Sequence, residues 1–336
     1  MAYTIDWSGD PAVVLIDQTA LPQREEYLRC ETVPELIAAI RRLAVRGAPA
    51  LGVAGALGVA LAMRTSADPA ADIAALRAAR PTAVNLAWGV DRAAALVPGG
   101  SDAVLAEALA IRDEDVASSA SMAAYGSELV TELVGGDPVL LTHCNTGGLA
   151  CVTGGTALGV AIALHRAGRL REVIASETRP LLQGARLTAW ELGRAGVPYR
   201  IAADGAGPSL MARGLVDAVI VGADRICANG DVVNKIGTYA HALGAARAGI
   251  PFLVVAPEST VDPRTACGAD VHIEDRPGAE VLELAGSPIA PAGSVAVNPA
   301  FDVTPADLVT AIVTDRRVIQ LSRGGNLPGV PLGRLR

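Results

Sequence analysis

The sequence predicts an α/β protein in two domains. Residues 1–133 read as a mostly helical N-terminal domain with a small β-hairpin start, and residues 134–336 as a C-terminal domain on a doubly wound, mostly parallel sheet. Three observations predict this. From Asp137-Pro138 onward, short apolar runs alternate with helical stretches, the rhythm of repeated βα units. The helical stretches close on Ala167-Gly168, Ala195-Gly196, Arg213-Gly214 and Ala248-Gly249, where glycine supplies the left-handed residue that ends a helix. Between about residue 31 and Asp137, helical spacing and capping residues recur with no strand pattern.

Taken in order, apolar and polar residues alternate around Val13-Val14-Leu15-Ile16 and are broken by Pro22, a small strand or hairpin. Thr32-Val33-Pro34-Glu35 has the spacing of a capping box with proline in the first turn, and Leu36, Ile40 and Leu43 follow at helical intervals. That helix stops at Val45-Arg46-Gly47-Ala48-Pro49. In the next, Gly52, Gly55 and Gly58 let another backbone approach closely. Asp68-Pro69 opens a third helix, and Arg80-Pro81-Thr82 caps a fourth that carries Leu86, Val90 and Ala93. Ser101-Asp102 starts a helical region reaching Leu133, with a break expected near Gly126. Val139–Leu141, Glu172–Ala175, Tyr199–Ala202, Ala218–Val221 and Phe252–Val255 read as buried strands, with Ser294–Val297 as a further candidate.

Composition narrows the function classes. Half of the chain, 51%, is hydrophobic and only 3% is aromatic, so the core must be aliphatic. A formal charge of -7 argues against gripping nucleic acid through its phosphates. The apolar run Pro49–Met63 covers fifteen residues, short of the roughly 20 that span a bilayer, and is expected to be a buried helix. Five cysteines without a C-x-x-C pair and four scattered histidines give no metal-ligand pattern. The first residues show neither a basic stretch nor an apolar one of secretory type, so a cytoplasmic protein with reduced thiols is expected.

The stretch Leu140–Ala150 organises the chain. An apolar run leads into Thr142, His143, Cys144 and Asn145, and then into a Gly147-Gly148 turn expected to feed a helix. Open α/β sheets bind ligands at such strand ends. The next three strands deliver Ser176-Glu177-Thr178, Asp204 and Asp224, so titratable groups recur at four strand ends. Each alone could be a helix-capping residue; together they point to a site. Cys144 stands out because amides of a nearby helix start would stabilise its thiolate. His143 beside it is no general base for it, since successive strand residues point to opposite faces. Asp224, in Val-Gly-Ala-Asp-Arg-Ile, is either a turn cap paired with Arg225 or an acid kept protonated by an apolar setting. Asn234-Lys235 places an amide and a cation before a helix. Arg46-Gly47-Ala48-Pro49 sets a guanidinium beside free amides at a helix N-terminus, a recipe for phosphate, and Arg80-Pro81-Thr82 repeats it more weakly. Gly205 and Gly207 lack the dinucleotide spacing, and no Walker motif exists.

These residues assemble into a resemblance. Val45–Ala50, Arg80–Leu86, Thr142–Gly147, Glu177–Pro180, Val221–Ile226 and Asn234–Tyr239, with Leu15–Thr19 near the start and Asn298–Pro305 near the end, together resemble the methylthioribose-1-phosphate isomerase family over nearly the whole chain. The resemblance implies a homodimer with a helical N-terminal domain and a Rossmann-like C-terminal domain. It further implies isomerisation of 5-methylthioribose 1-phosphate to 5-methylthioribulose 1-phosphate, a step of methionine salvage, with no metal and no organic cofactor. Carried over by motif, Asp224 is the proton donor and Cys144 the transition-state stabiliser. Arg46, Gly47, Ala48, Arg80, Gln183, Asn234 and Lys235 are the substrate contacts. No nucleic-acid or membrane partner is implied. The sequence departs from the family pattern at Gly154-Gly155-Thr156, at Asp204–Pro208 and at Ser121–Gly126, without removing a catalytic residue. Two rival readings share the fold: isomerases of ribose 1,5-bisphosphate or 5-deoxyribose 1-phosphate, and non-catalytic regulatory subunits of the initiation-factor exchange complex.

Overall fold

Alternating burial makes the opening segment a sheet. In the computed structural model, which describes residues 3–81, 83–284 and 286–321, β1 (Ile5–Ser8), β2 (Ala12–Ile16) and β3 (Tyr27–Cys30) pair antiparallel in that order. The expected hairpin thus gains a third strand, and Ile5, Val13 and Leu15 are fully buried beneath it. The capping box forms: Thr32 Oγ1 accepts the Glu35 amide at 3.4 Å and the Glu35 carboxylate accepts the Thr32 amide at 3.1 Å. It starts α1 (Val33–Arg41), which ends before Leu43 because Leu43 turns into the left-handed region at φ 65°.

Helix α2 (Ala48–Thr65) is the axis of this part of the chain. It has the length and mean hydropathy (1.4) of a membrane span, but 72% of it is buried in the protein, which makes it the core helix expected. Asp68 caps α3 (Pro69–Arg77) by accepting the Ala71 amide. Thr82, expected to cap the next helix, lies outside the described residues; α4 (Val84–Ala94) follows Ala83 and buries Leu86, Val90 and Ala93 as expected. The two glycine-bearing helices meet backbone to backbone. A Cβ on Gly55 would lie 2.6 Å from the Leu86 carbonyl oxygen, and one on Gly89 only 1.9 Å from that of Gly52. Then α5 (Ser101–Leu133) runs unbroken through Gly126. Gly126 is not a hinge but a contact: a Cβ there would sit 2.4 Å from Val160 Cγ2.

The rest of the chain alternates. In order come β4 (Val139–Thr142), α6 (Ala157–Arg166), β5 (Glu172–Ser176), α7 (Ala189–Arg194), β6 (Tyr199–Ala202), α8 (Ala206–Ala212), β7 (Ala218–Val221), β8 (Arg225–Cys227), β9 (Val232–Lys235), α9 (Thr238–Ala248) and β10 (Phe252–Val255). They are followed by β11 (Val261–Asp262), α10 (Ala279–Leu282), β12 (Glu283–Leu284), β13 (Ser287–Pro288), β14 (Phe301–Thr304), β15 (Ala311–Val313) and β16 (Val318–Ile319). The main sheet has the order β16-β15-β10-β7-β4-β5-β6 and is parallel except at β16. All five strands read from sequence are in it, but Tyr199–Ala202, expected to be buried, is the edge strand β6, with Tyr199 and Ile201 exposed because nothing pairs beyond it in the sheet among the described residues. Ser294–Val297 is not in the sheet: Val295 and Val297 are 95% and 89% exposed, and the fully buried Ala311–Val313 extends the sheet instead. A second sheet, β11-β8-β9-β14, and the small β12-β13 pair were not read from sequence, because their two- to four-residue strands carry no alternation long enough to register.

Contacts divide the chain into two compact units. One holds the chain up to Ala123 together with Thr146–Gly159; the other holds Ala124–Asn145 and the chain from Val160 onward. The expected junction at 133/134 falls at the end of α5, whereas the contacts divide the chain within that helix and give 146–159 to the first unit. Segment 146–159 joins the first unit through specific bonds: Val152 accepts the Thr4 amide at 2.8 Å and donates its own to Asp115 at 2.7 Å, while Gln18 Nε2 donates to the Leu149 carbonyl at 2.7 Å.

Replacing a helix-interior glycine by alanine ordinarily gains about 1 kcal/mol of helix propensity. At Gly89 the collision with the Gly52 carbonyl outweighs that gain. Gly89→Ala is expected to destabilise the chain by about 3 kcal/mol, read as a lowered urea midpoint at unchanged m-value.

Candidate active site

Strand order locates the site. From β4 the chain adds β5 and β6 on one side, then returns to add β7 on the other, so the order reverses between β4 and β7. The crevice beyond the carboxyl ends of two such strands is where doubly wound sheets take ligands. Register pairs Leu140 with Ala218 and Leu141 with Val219, so the strand that leads to His143-Cys144 and the strand that leads to Asp224 are neighbours in the sheet.

Cys144 is held in an uncommon conformation, φ 63°, and so are Thr178 at 67° and Leu182 at 56°. Non-glycine residues in this region cost on the order of 1–3 kcal/mol each and persist only where their surroundings fix them. The surroundings here do. The Cys144 amide donates to Thr178 Oγ1 at 2.9 Å, and its carbonyl accepts from Thr188 Oγ1 at 2.7 Å. Asp204 is the cap of this arrangement: it accepts the Ser176 hydroxyl at 2.5 Å and the amides of Thr178 and Arg179 at 2.7 and 2.6 Å. Gly184 opens a π-helical turn, Gly184–Thr188, and passes so close to Ser176 that a Cβ would lie 1.7 Å from its carbonyl oxygen. Gln183, just before the turn, is buried, and its Oε1 finds no partner among the described residues. The helix start expected next to Cys144 is absent: after a short 3-10 turn at Gly148–Ala150, α6 begins only at Ala157.

His143 points the other way, into the protein. It is fully buried; its Nε2 lies 2.8 Å from the Ile236 carbonyl, and its Nδ1 lies 3.3 Å from His241 Nε2. A carbonyl only accepts, so His143 Nε2 carries hydrogen, and its Nδ1 accepts from His241. Burial, and then the Lys235 charge, hold His143 below the usual imidazole range. Burial and the neighbouring His143 push His241 down to about 3. Gly207, part of the glycine pattern without dinucleotide spacing, has this role: a Cβ there would be 2.4 Å from His241 Nδ1.

Asp224 is exposed, so the described residues form no apolar setting around it; its amide donates to the Val233 carbonyl at 2.9 Å. Arg225 turns instead to Thr265 at 3.1 Å and Asp262 at 3.4 Å. At the end of β9, Asn234 is buried and donates to Thr238 Oγ1 at 3.0 Å. Lys235 Nζ donates to the Ala300 carbonyl at 2.8 Å and lies 4.5 Å from the centroid of the Phe301 ring. Asp302 caps α9 through the amides of Gly237 and Tyr239, and burial pushes its carboxyl up to about 6. Sequence reasoning missed Thr188, His241 and Asp302, which carry no local signal and are recruited by tertiary contact.

In the first unit, Arg46 precedes Gly47, which caps α2 at φ 93°, and Ala48 is its first residue. A Cβ on Gly47 would lie 2.5 Å from the Ala150 carbonyl oxygen, so the Arg46 turn packs directly on the turn that follows Gly147-Gly148. Arg80 lies between α3 and α4 and is half-buried. The substrate contacts read from sequence thus fall in both units, Arg46, Gly47, Ala48 and Arg80 in the first and Gln183, Asn234 and Lys235 in the second.

The profile of the Initiation factor 2 subunit family matches residues 44–320. A methylthioribose-1-phosphate isomerase of Anaeromyxobacter dehalogenans is 53% identical over 96% of this chain and 95% of its own. A probable bifunctional methylthioribose-1-phosphate isomerase/methylthioribulose-1-phosphate dehydratase of Nocardia farcinica is also 53% identical over 94% of this chain, which spans only 59% of that protein's length. Among solved structures, 5-methylthioribose 1-phosphate isomerase of Pyrococcus horikoshii OT3 superposes with a TM-score of 0.88 at 41% identity, over 95% of this chain and 93% of that one. Translation initiation factor eIF-2B, subunit delta, from A. fulgidus does so at 0.84 and 43%, over 98% of each.

The histidine pair carries a pH signature. Both imidazoles are held below their unfolded values, so their contribution to stability is complete above about pH 6.5 and is lost as pH falls from there toward about 3. His241→Gln, which keeps an N–H donor but cannot titrate, is expected to flatten that acid limb in thermal melts taken from pH 7 to pH 4. Parallel limbs for both proteins would contradict the assignment.

Proposed function

The chain belongs to the Initiation factor 2 subunit family, and within it to the methylthioribose-1-phosphate isomerases, and on that premise we propose that it is an aldose–ketose isomerase converting 5-methylthioribose 1-phosphate to 5-methylthioribulose 1-phosphate in methionine salvage. The observation that carries the residue roles is the placement of Cys144 and Asp224 after the two strands that flank the reversal of the sheet. A solved structure named for translation initiation is about as similar as one named for the isomerase. A regulatory subunit has no need of an acid at 224, a thiol at 144 in a strained backbone, and a cation at 235.

Phosphate on the anomeric oxygen blocks the usual opening of an aldose to its aldehyde. Asp224 supplies a proton to the ring oxygen, the bond from C1 to that oxygen breaks, and hydrogen moves from C2 to C1. The C2 hydroxyl gives up its proton as the ketone forms, so the cycle is proton-neutral. The substrate's own phosphate and the loss of water on binding favour the protonated acid that the step requires. The Cys144 thiol stabilises the charge that develops at the reacting carbons. Arg46, with the amides of Gly47 and Ala48 at the start of α2, suits the phosphate; Arg80, Gln183, Asn234 and Lys235 are the remaining substrate contacts. The enzyme works as a cytoplasmic homodimer.

Purified protein given 5-methylthioribose 1-phosphate, 5-deoxyribose 1-phosphate and ribose 1,5-bisphosphate separately is expected to form ketose fastest from the first; a faster reaction with either rival would reassign the substrate. Asp224→Asn should lower kcat by about 10²–10⁴-fold while KM changes little. With deuterium at C2, direct hydride transfer retains the label in the product, and washout into solvent would establish proton transfer through an enolate instead.

A further inference from the structure

Two threonine hydroxyls hold the Cys144 peptide from both sides. Thr178 and Thr188 are fully or almost fully buried, at 0% and 1% exposure, and each hydroxyl has a single hydrogen. Thr178 gives its hydrogen to the Ser176 carbonyl at 2.9 Å and accepts the Cys144 amide. Thr188 gives its hydrogen to the Cys144 carbonyl and accepts from Asn145 Nδ2 at 3.2 Å. Neither hydroxyl can rotate without leaving a buried polar group unpaired. The amide and carbonyl of Cys144 are therefore committed to structure, while its side chain keeps partial exposure.

We propose that Thr178 and Thr188 are positioning residues that lock Cys144 in its left-handed conformation and so aim its thiol. The proposal rests on the reading of Cys144 as the transition-state stabiliser. Geometry shows why the lock is rigid. Asp204 fixes the Thr178 backbone, and Gly184, with room for no Cβ, pins the π-helical turn that carries Thr188 against Ser176. The thiol is thus set by one loop anchored at both ends, and that loop also carries Gln183. A shift at either threonine displaces Cys144 and Gln183 together. Valine at these positions preserves shape and removes the hydroxyl, whereas serine preserves the hydroxyl and removes a methyl.

The test compares Thr178→Val and Thr188→Val with Thr178→Ser and Thr188→Ser. Two readouts are used: turnover of 5-methylthioribose 1-phosphate, and the rate at which iodoacetamide alkylates Cys144 in the substrate-free protein, followed by peptide mass. The valine variants are expected to lose about 10²-fold in kcat, the cost of misplacing a reacting group by about 1 Å, with KM within about twofold and an altered alkylation rate. The serine variants should stay close to the native protein in both readouts. Native kcat and alkylation in the valine variants would overturn the proposal, as would serine variants as impaired as valine ones, since that pattern belongs to packing. If the native chain does not turn over the sugar phosphate, the reading of its function fails while the alkylation rates still judge the lock. Should a valine variant not fold, hydrogen exchange at the Cys144 amide of the native protein decides: slow exchange is expected, and exchange as fast as an exposed loop amide would overturn the proposal.

Discussion

The parallel pairing of β4 with β7 on one side and β5 on the other is the constraint on which the catalytic unit depends. A parallel strand needs a crossover connection, so each neighbour of β4 arrives from a different part of the chain, with its own helix behind it. With β4 at the point of reversal, the connections on its two sides run in opposite directions, which is where such sheets leave a crevice at the strand ends. Polar groups leaving these strands therefore have somewhere to go other than the core. Around this opening the interior is aliphatic, with Leu140, Leu141, Val219, Ile220 and Leu253 all at or near zero exposure, and it provides the rigid frame against which small displacements matter.

Polar groups at this end of the sheet divide sharply by role. Asp204 looked like a site residue by position, yet each of its oxygens is engaged by backbone amides or a hydroxyl, and its work is to shape the turn after β5. His143, next to the thiol in sequence, faces away from it and joins His241 in a buried neutral pair that ties β4 to the turn before α9. Asp302 does the same for α9 from the second sheet, which is how a short four-stranded ladder comes to brace Lys235. A residue's position at a strand end marks it as a candidate; its hydrogen bonds tell whether it supports the site or is left available to a ligand.

The helical caps and the central strands were legible because their causes are local. The Thr32–Glu35 box and the Asp68 cap form among neighbouring residues, and the apolar runs at 139, 172, 218 and 252 mark their strands locally although their pairing is long-range. The glycines of α2 announced a close approach, although not that α4 would supply it through Gly89. What was illegible depends on distant partners. Val295 and Val297 alternate like a strand, but in the structure no strand pairs with them among the described residues, whereas Ala311–Val313, with no better pattern, has β10 beside it. The grip of Thr178 and Thr188 on Cys144 spans 34 and 44 residues. Spacing along the chain contains no trace of it. Cys144 and Asp224 were nevertheless found as candidates, because an apolar run ending in a polar residue is itself a local signal.

The near-contact between Gly47 and Ala150 has a bearing on how this scaffold could be changed. Each of these residues is the wall of the other, with no thickness to spare, so neither can acquire bulk while its neighbour stays as it is. Libraries built to broaden the accepted sugar would be wasted at these two positions. Drift among related sequences should likewise leave the pair small while the residues around it vary. Room for a different substituent has to be cut elsewhere, from side chains rather than from the backbone surface on which the arginine turn lies.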